Sequence, residues 1–203
     1  MACLGSQRGI ETKNWILASA SPRRSELLRA AGQRFDCIAS GVDETPYPAE
    51  SALDFARRIA HGKAHEVSRR CPARWVLAAD TIVVVDGDVL GKPSNAEEAT
   101  RMLERLSGRR HEVATAFALL DERGEVFANQ VVRTEVVFRP LEASEIAEYV
   151  SSGEPFDKAG AYAIQGGAGD FVVGVQGSRS NVIGLPMDEV EAVLRRAGLW
   201  VRP

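Results

Sequence analysis

The chain has 203 residues, 45% of them hydrophobic, and 25 Lys and Arg against 28 Asp and Glu, for a formal net charge of −3. That composition supports a real core in one large domain or two small ones, and it excludes a general basic field that would gather nucleic acid. No apolar run approaches the ~18 residues of a membrane span, and the cysteines Cys3, Cys37 and Cys71 are widely spaced, form no CxxC and suggest a reducing compartment.

Residues 1–14, MACLGSQRGIETKN, lack an apolar signal core and read as a flexible lead-in. A single domain is expected over 15–203, in the cytoplasm. Trp15 to Ala18 predict a buried strand. Ser19 and Ser21 bracket a tight connection, and Pro22 stands where a first helical residue belongs, with Ser21 as N-cap. Leu27, Leu28 and Ala31 give the helix its stripe, and Gly32 ends it. Arg23 and Arg24 fall in the first turn, against the helix dipole, which favours anions there. Cations beside free backbone N–H groups and two hydroxyls describe a site for a strong anion, phosphate above all. The ordinary alternative is a pair of solvated arginines.

FDCIASGVDE reads as a strand ending in acidic residues, and TPYPAE as a loop. Ser51 to about Arg70 is helical. WVLAADTIVVVDGDVLGKP is a long strand, an Asp-Gly turn and a short returning strand. Ser94 opens a further helix, with Glu97 completing a capping box, and Ala99, Met102, Leu103 and Leu106 form its stripe. Residues 111–141 hold two long strands around an Arg123-Gly124 turn. A helix follows from about Ser144 to Ser151, then the glycine-rich GEPFDKAGAYAIQGGAGD, the strand FVVGVQGS, and a last helix from Pro186 to Ala197 stopped by Gly198. Strands alternating with helices predict the α/β class. The long central strands predict an elongated mixed β-sheet with flanking helices, compatible with two lobes about a cleft.

Asp80 sits inside an apolar strand, where a carboxylate is costly unless it is paired or bound to a cation. It reads as a metal ligand or general base, with Thr81 beside it, or as a structural carboxylate capping a loop. Glu44, next to Asp43, adds oxygen ligands for a hard cation such as Mg²⁺. Lys63 lies on the apolar face of its helix with Ala56, Ile59, Ala60 and Val67, so it meets an anion or snorkels to the rim. Lys92 in LGKP and Lys158 in FDKAG are either anion ligands or loop lysines; no Walker motif is present. Gln165 in AIQGG can pair with a base edge, or it is a turn residue. His61 and His65 share a helix face without a third ligand and read as solvated. Cations and acids gathered together suit metal-assisted attack on a phosphate.

These segments resemble the Maf nucleoside-triphosphate pyrophosphatases. LASASPRRSELL is similar to that family's opening signature, and GVDE, ARRIAHGKA, AADT, GKP, LSGRRHEV, EPFDKAGAYAIQG and NVIGLP to its successive blocks, from about Trp15 to Leu199. The resemblance implies a fold akin to the inosine-triphosphate pyrophosphatases, with a cleft between two lobes. It implies hydrolysis of a nucleoside triphosphate to monophosphate and pyrophosphate with a divalent metal, Mg²⁺ or Mn²⁺, in a homodimer. No membrane or nucleic-acid partner is expected. By position, Asp80 matches the proton acceptor, Glu44 and Asp80 the metal ligands, and Ser19, Arg24, Lys63, Lys92 and Lys158 the phosphate-binding set. Arg23, Thr81 and Gln165 match the Arg, Thr and Gln of the branch preferring dTTP and UTP, where the 7-methyl-GTP branch has Trp, Gln and Glu. A glutamine both donates and accepts, as the imide edge of thymine or uracil requires. Two further readings stay open: a nucleotide-binding regulator of septum formation without turnover, and a pyrophosphatase for a modified nucleotide.

Overall fold

The computed structural model describes residues 15–201; the lead-in expected over 1–14 lies outside the described residues. Three long strands form its frame: β3 (Val76–Val85), β5 (Arg110–Leu120) and β6 (Val126–Phe138). Valine leads in β3 and β6, as expected of a residue that fits a pleated, half-buried surface, while alanine and leucine lead in the central β5. Two-residue strands β1 (Ile16–Leu17) and β2 (Asp36–Cys37), the short β4 (Asp88–Leu90) and the edge strand β7 (Val172–Gln176) complete a mixed sheet. The order is β2-β1-β3-β5-β6-β7, with β4 paired to β3 off that path. The β1 pairs are parallel and all others antiparallel.

The period of two along β3 divides the core. Val76, Ala78 and Ile82 pack on one face against the helix α2 (Ala52–Arg70). Leu77 and Ala79 pack on the other against α1 (Pro22–Ala30) and α6 (Met187–Arg196). Farther along, Val83 and Val85 meet α3 (Ala96–Leu106) and α4 (Ala143–Ser151). Two lobes therefore share the long strands: β1, β2, α1, α2 and α6 at one end of β3, and β4, α3 and α4 at the other.

The cleft has a simple origin. β1 pairs with β3 at Val76–Leu77, and β4 pairs with the same edge at Val83–Val85. Between them, Ala79–Ile82 are laddered to β5 alone, and among the described residues no strand covers their other edge. Asp80 and Thr81 stand in that gap.

Several expected boundaries move. β2 stops at Cys37 because its partner β1 ends at Leu17, so residues 38–44, read as the rest of that strand, instead join the loop expected over 45–50 and carry Glu44. Ser21 holds the N-cap position of α1 without a side-chain bond; its N–H donates instead to Ser19 Oγ at 3.1 Å. The cap of α3 is Asn95, whose Oδ1 accepts from Glu98 N at 2.9 Å, while the Glu98 carboxylate accepts from Ser94 N and Oγ rather than from the cap's own N–H, so the expected Ser94–Glu97 box gives way to a single cap one residue on. A short helix α5 (Arg179–Ile183) precedes α6, separated from it by Gly184 at φ 128°. Cys37 and Cys71 are free thiols. Among the described residues, no helix is long and apolar enough to cross a membrane.

Candidate active site

A cavity of about 610 Å³ opens at the gap in the ladder. It is lined by Ser19, Arg23, Arg24, Glu44, Lys63, Asp80, Thr81, Lys92, Lys158 and Gln165, all expected at the site; Asp43, His61 and His65 do not line it. Residues spread over almost 150 positions are brought together because β3 passes through the middle and each lobe supplies a loop.

Asp80 faces α2, as the alternation along β3 requires, and Lys63 faces back from the apolar stripe of that helix. Lys63 Nζ donates to Asp80 Oδ1 at 2.8 Å and lies 2.8 Å from Glu44 Oε1. The Lys63 and Asp80 side chains are only 12% and 10% exposed, so that pair is largely shielded from the solvent that weakens surface pairs, while Glu44, 46% exposed, closes the triplet from the solvent side. Burial pushes the Glu44 carboxyl up, but the hydrogen bond and charge of Lys63, with Lys92 and Arg24 nearby, hold it below its usual range. Two carboxylates thus converge on one cation, and an ammonium with three donors keeps one to spare.

Thr81 points to the opposite face, toward Arg24. The Arg24 guanidinium is buried and donates to Gly184 O at 2.8 Å, Ala79 O at 2.8 Å, Thr81 Oγ1 at 3.0 Å and Ser19 Oγ at 3.4 Å. Four of its five N–H groups are so engaged. Ala79 O is one of the main-chain acceptors that the missing strand leaves unpaired, so Arg24 closes the exposed ladder at that point. By the same alternation, the Thr81 N–H and C=O face the gap. Burial lowers the Arg24 pKa and Arg23 lowers it further, while Asp80 and Glu44 oppose them.

The other lobe contributes the segment between α4 and β7, which folds as short 3₁₀ turns. Lys158 Nζ donates to Glu154 O at 2.8 Å and to the Asp157 carboxylate. Arg23 reaches the same carboxylate at 3.3 Å from the opposite lobe. Burial raises the Asp157 carboxyl, but Lys158 and Arg23 outweigh it and hold it low. Gln165 is exposed at the cavity, and among the described residues its amide has no protein partner. Lys92 is exposed on the loop after β4.

Some participants carry no sequence signal of their own. Asp157 bridges the lobes, yet in FDKAG it is one more surface acid. Thr115 and Asn181 anchor Thr81: Thr81 Oγ1 lies 2.9 Å from Thr115 Oγ1, which donates to Asn181 O at 3.0 Å. Arg58 braces the Glu44 loop, binding both Glu50 oxygens at 2.6 and 2.7 Å and Thr45 O at 3.0 Å, with Tyr47 stacked on its guanidinium. His61 and His65 face one another on α2 with ring centroids 5.9 Å apart and tilted by 36°, and neither lines the cavity. Among the described residues, no cluster of three or more His, Cys, Asp or Glu is placed to hold a metal ion.

Residues 14–197 match the family model described as Maf-like protein. The chain is 54% identical over 184 residues to the dTTP/UTP pyrophosphatase of Myxococcus xanthus (strain DK1622), covering 91% of this chain and 92% of that one. It is 51% identical over 183 residues to the dTTP/UTP pyrophosphatase of Geobacter sulfurreducens, covering 90% and 96%. A solved nucleoside-triphosphatase / dITP/XTP pyrophosphatase from Mycobacterium abscessus aligns at a TM-score of 0.40 with 20% identity, over 62% of this chain and 72% of its own, too partial a likeness to carry an argument.

Proposed function

The chain belongs to the Maf family, and from that premise we propose that it hydrolyses dTTP and UTP to the monophosphate and pyrophosphate. The observation that carries this reading is the convergence of Glu44, Lys63 and Asp80 at the centre of a cavity rimmed by Arg23, Lys92 and Lys158. Relatives about half identical over nine-tenths of the chain carry that activity in their names.

In this reading Asp80 takes the proton from the water that attacks the α-phosphorus, and the leaving pyrophosphate carries the departing charge. Lys63 holds the Asp80 carboxylate in place and has a third donor for a phosphate oxygen. Ser19, Lys92 and Lys158 receive the remaining oxygens. Arg24 has one N–H left for phosphate and otherwise fixes Ser19 and Thr81. Arg23, Thr81 and Gln165 set the base preference, with Gln165 offering a donor and an acceptor to the imide edge.

A divalent cation, Mg²⁺ or Mn²⁺, fits the donor set: Glu44 and Asp80 already share one positive centre, and Mg²⁺ is commonly held by one or two carboxylates with substrate phosphates and waters. When bound, it supplies Lewis-acid polarisation of a phosphoryl oxygen. We place the enzyme in the cytoplasm as a homodimer, with residues 15–203 as its single catalytic unit, serving nucleotide house-cleaning or division arrest.

Pyrophosphate release from a panel of nucleoside triphosphates, with and without Mg²⁺ or Mn²⁺, tests the proposal. Metal-dependent turnover led by dTTP and UTP is expected. Tight nucleotide binding with no release would favour a regulator that only binds, and turnover led by another nucleotide would move the specificity assignment.

A further inference from the structure

Gln165 makes no hydrogen bond of its own to the described protein, so its position is set by the backbone beneath it. That backbone is held at both ends. Ala163 N donates to Tyr149 Oη at 3.2 Å, and Gly167 N donates to Glu154 Oε2 at 3.1 Å. The two acceptors are joined, because Tyr149 Oη donates to Glu154 Oε1 at 3.0 Å. Within the turn, Gly166 N donates to Ala163 O at 3.1 Å. A Cβ at Gly166 would lie 1.8 Å from Glu154 Oε1, so the carboxylate is seated directly against the turn. Tyr149 is itself fixed: it is buried on α4 and its ring meets Phe171 edge-on at 5.4 Å.

We propose that Tyr149 and Glu154 act as positioning residues, a clamp that presents Gln165 to the base and so sets base discrimination. The proposal rests on the reading of Gln165 as the base-facing amide. Each hydrogen bond of the clamp ends on a negatively charged acceptor or on the hydroxyl polarised by it, and such bonds are stronger than neutral ones. A side chain with free rotors gains recognition power when its backbone is pre-organised. Glu154 also accepts from Lys158 through its main-chain carbonyl, 2.8 Å from Nζ. A change to the Glu154 side chain therefore disturbs the base end of the cavity and leaves that contact of the phosphate end in place.

The test uses the full-length enzyme with Tyr149→Phe, which keeps the buried ring, and Glu154→Gln, which keeps the shape. Both should raise KM for dTTP and UTP about tenfold with kcat within about twofold, and should narrow the preference for UTP over CTP by about tenfold. Inhibition by inorganic pyrophosphate should be unchanged. The amide hydrogens of Ala163 and Gly167 should exchange faster in both variants. Equal losses for UTP and CTP, or a fall in kcat without a change in preference, overturn the clamp. If the wild-type enzyme prefers UTP, and Gln165→Glu alters that preference while Tyr149→Phe does not, the clamp fails and the reading of Gln165 survives. If Gln165→Glu leaves the preference intact, that reading fails first.

Discussion

Lys63 Nζ and Asp80 Oδ1 meet at 2.8 Å across the boundary between α2 and β3, where the sheet is paired on one side only. The contact joins a helix stripe read at a period of 3.6 to a strand face read at a period of two. Without Lys63, Asp80 would be a largely buried charge with no ion-pair partner, whereas Lys63 without Asp80 keeps Glu44.

Asp80→Asn should lower turnover about 10²-fold or more while leaving the fold intact. The amide can still accept from Lys63, and Lys63 keeps Glu44 as a counter-ion. Pyrophosphate release and a thermal melt on the same preparation check both halves. Near-normal rates would remove Asp80 from the role of base.

Lys63→Met leaves Glu44 and Asp80 as like charges with no cation between them. The burial that pushes Glu44 up would no longer be outweighed by the Lys63 hydrogen bond and charge, so its carboxyl should titrate at higher pH. The acid limb of kcat/KM against pH should move upward, with a loss of about 10²-fold at neutral pH. An unmoved limb would mean that neither carboxylate governs the profile.

Gln165→Glu replaces the donor half of the amide by a second acceptor. The value of kcat/KM for dTTP and UTP should fall about 10- to 100-fold, with little change in pyrophosphate inhibition. A uniform loss for all ligands would make Gln165 a structural turn residue.

Arg24→Lys should be far from conservative. An ammonium cannot serve the Ala79 and Gly184 carbonyls, Thr81 and Ser19 together, so buried acceptors lose their partners. A loss of about 2–4 kcal/mol in a urea melt is expected, from roughly 1–3 kcal/mol for each unsatisfied group. An unchanged midpoint would show that the carbonyls find other donors.

His111 gives a pH signature away from the reacting groups. It is buried on β5 with Nε2 2.7 Å from Tyr162 Oη, and burial lowers its pKa from 6.5 to about 4. Between those values the unfolded chain binds more protons than the folded one. Stability should therefore fall as pH drops through that window, by about 3 kcal/mol in all. The Glu44 and Asp157 carboxyls, also lowered, start to add their losses as pH falls through their ordinary values of 4.5 and 3.8, at the acid end of that window and below it. Melts at pH 7 and 4.5 should show a smaller difference for His111→Gln than for wild type. Parallel losses would assign the effect to other groups.

What the sequence discloses here is what local chemistry encodes. Pro22 after Ser21, the Asp86-Gly87 turn and the stripe of α2 carry their signals within a few residues, and the elements lie where expected. The inward aim of Lys63 follows from the same periodicity. Residues 38–44 read as strand because nothing nearby says that the partner ends at Leu17. The engagement of Arg24 with main-chain carbonyls depends on β1 and β4 sharing one edge of β3, a pairing between distant segments. Thr115, Asn181 and Asp157 join the site through the same long-range register. Tyr149 and Glu154 lie on a helix and a 3₁₀ turn whose relation to Gln165 appears only once residues 154–171 are folded.

The gap beside β3 also has a mechanical meaning. At either end that strand is gripped from both sides; over Ala79–Ile82 it is gripped from one. A plate supported in this way is most compliant across its unsupported stretch. Any bending of one lobe against the other would therefore concentrate at Asp80 and Thr81. A change of angle too small to disturb either core would be felt first at the carboxylate and at the Arg23–Asp157 tie that spans the cleft.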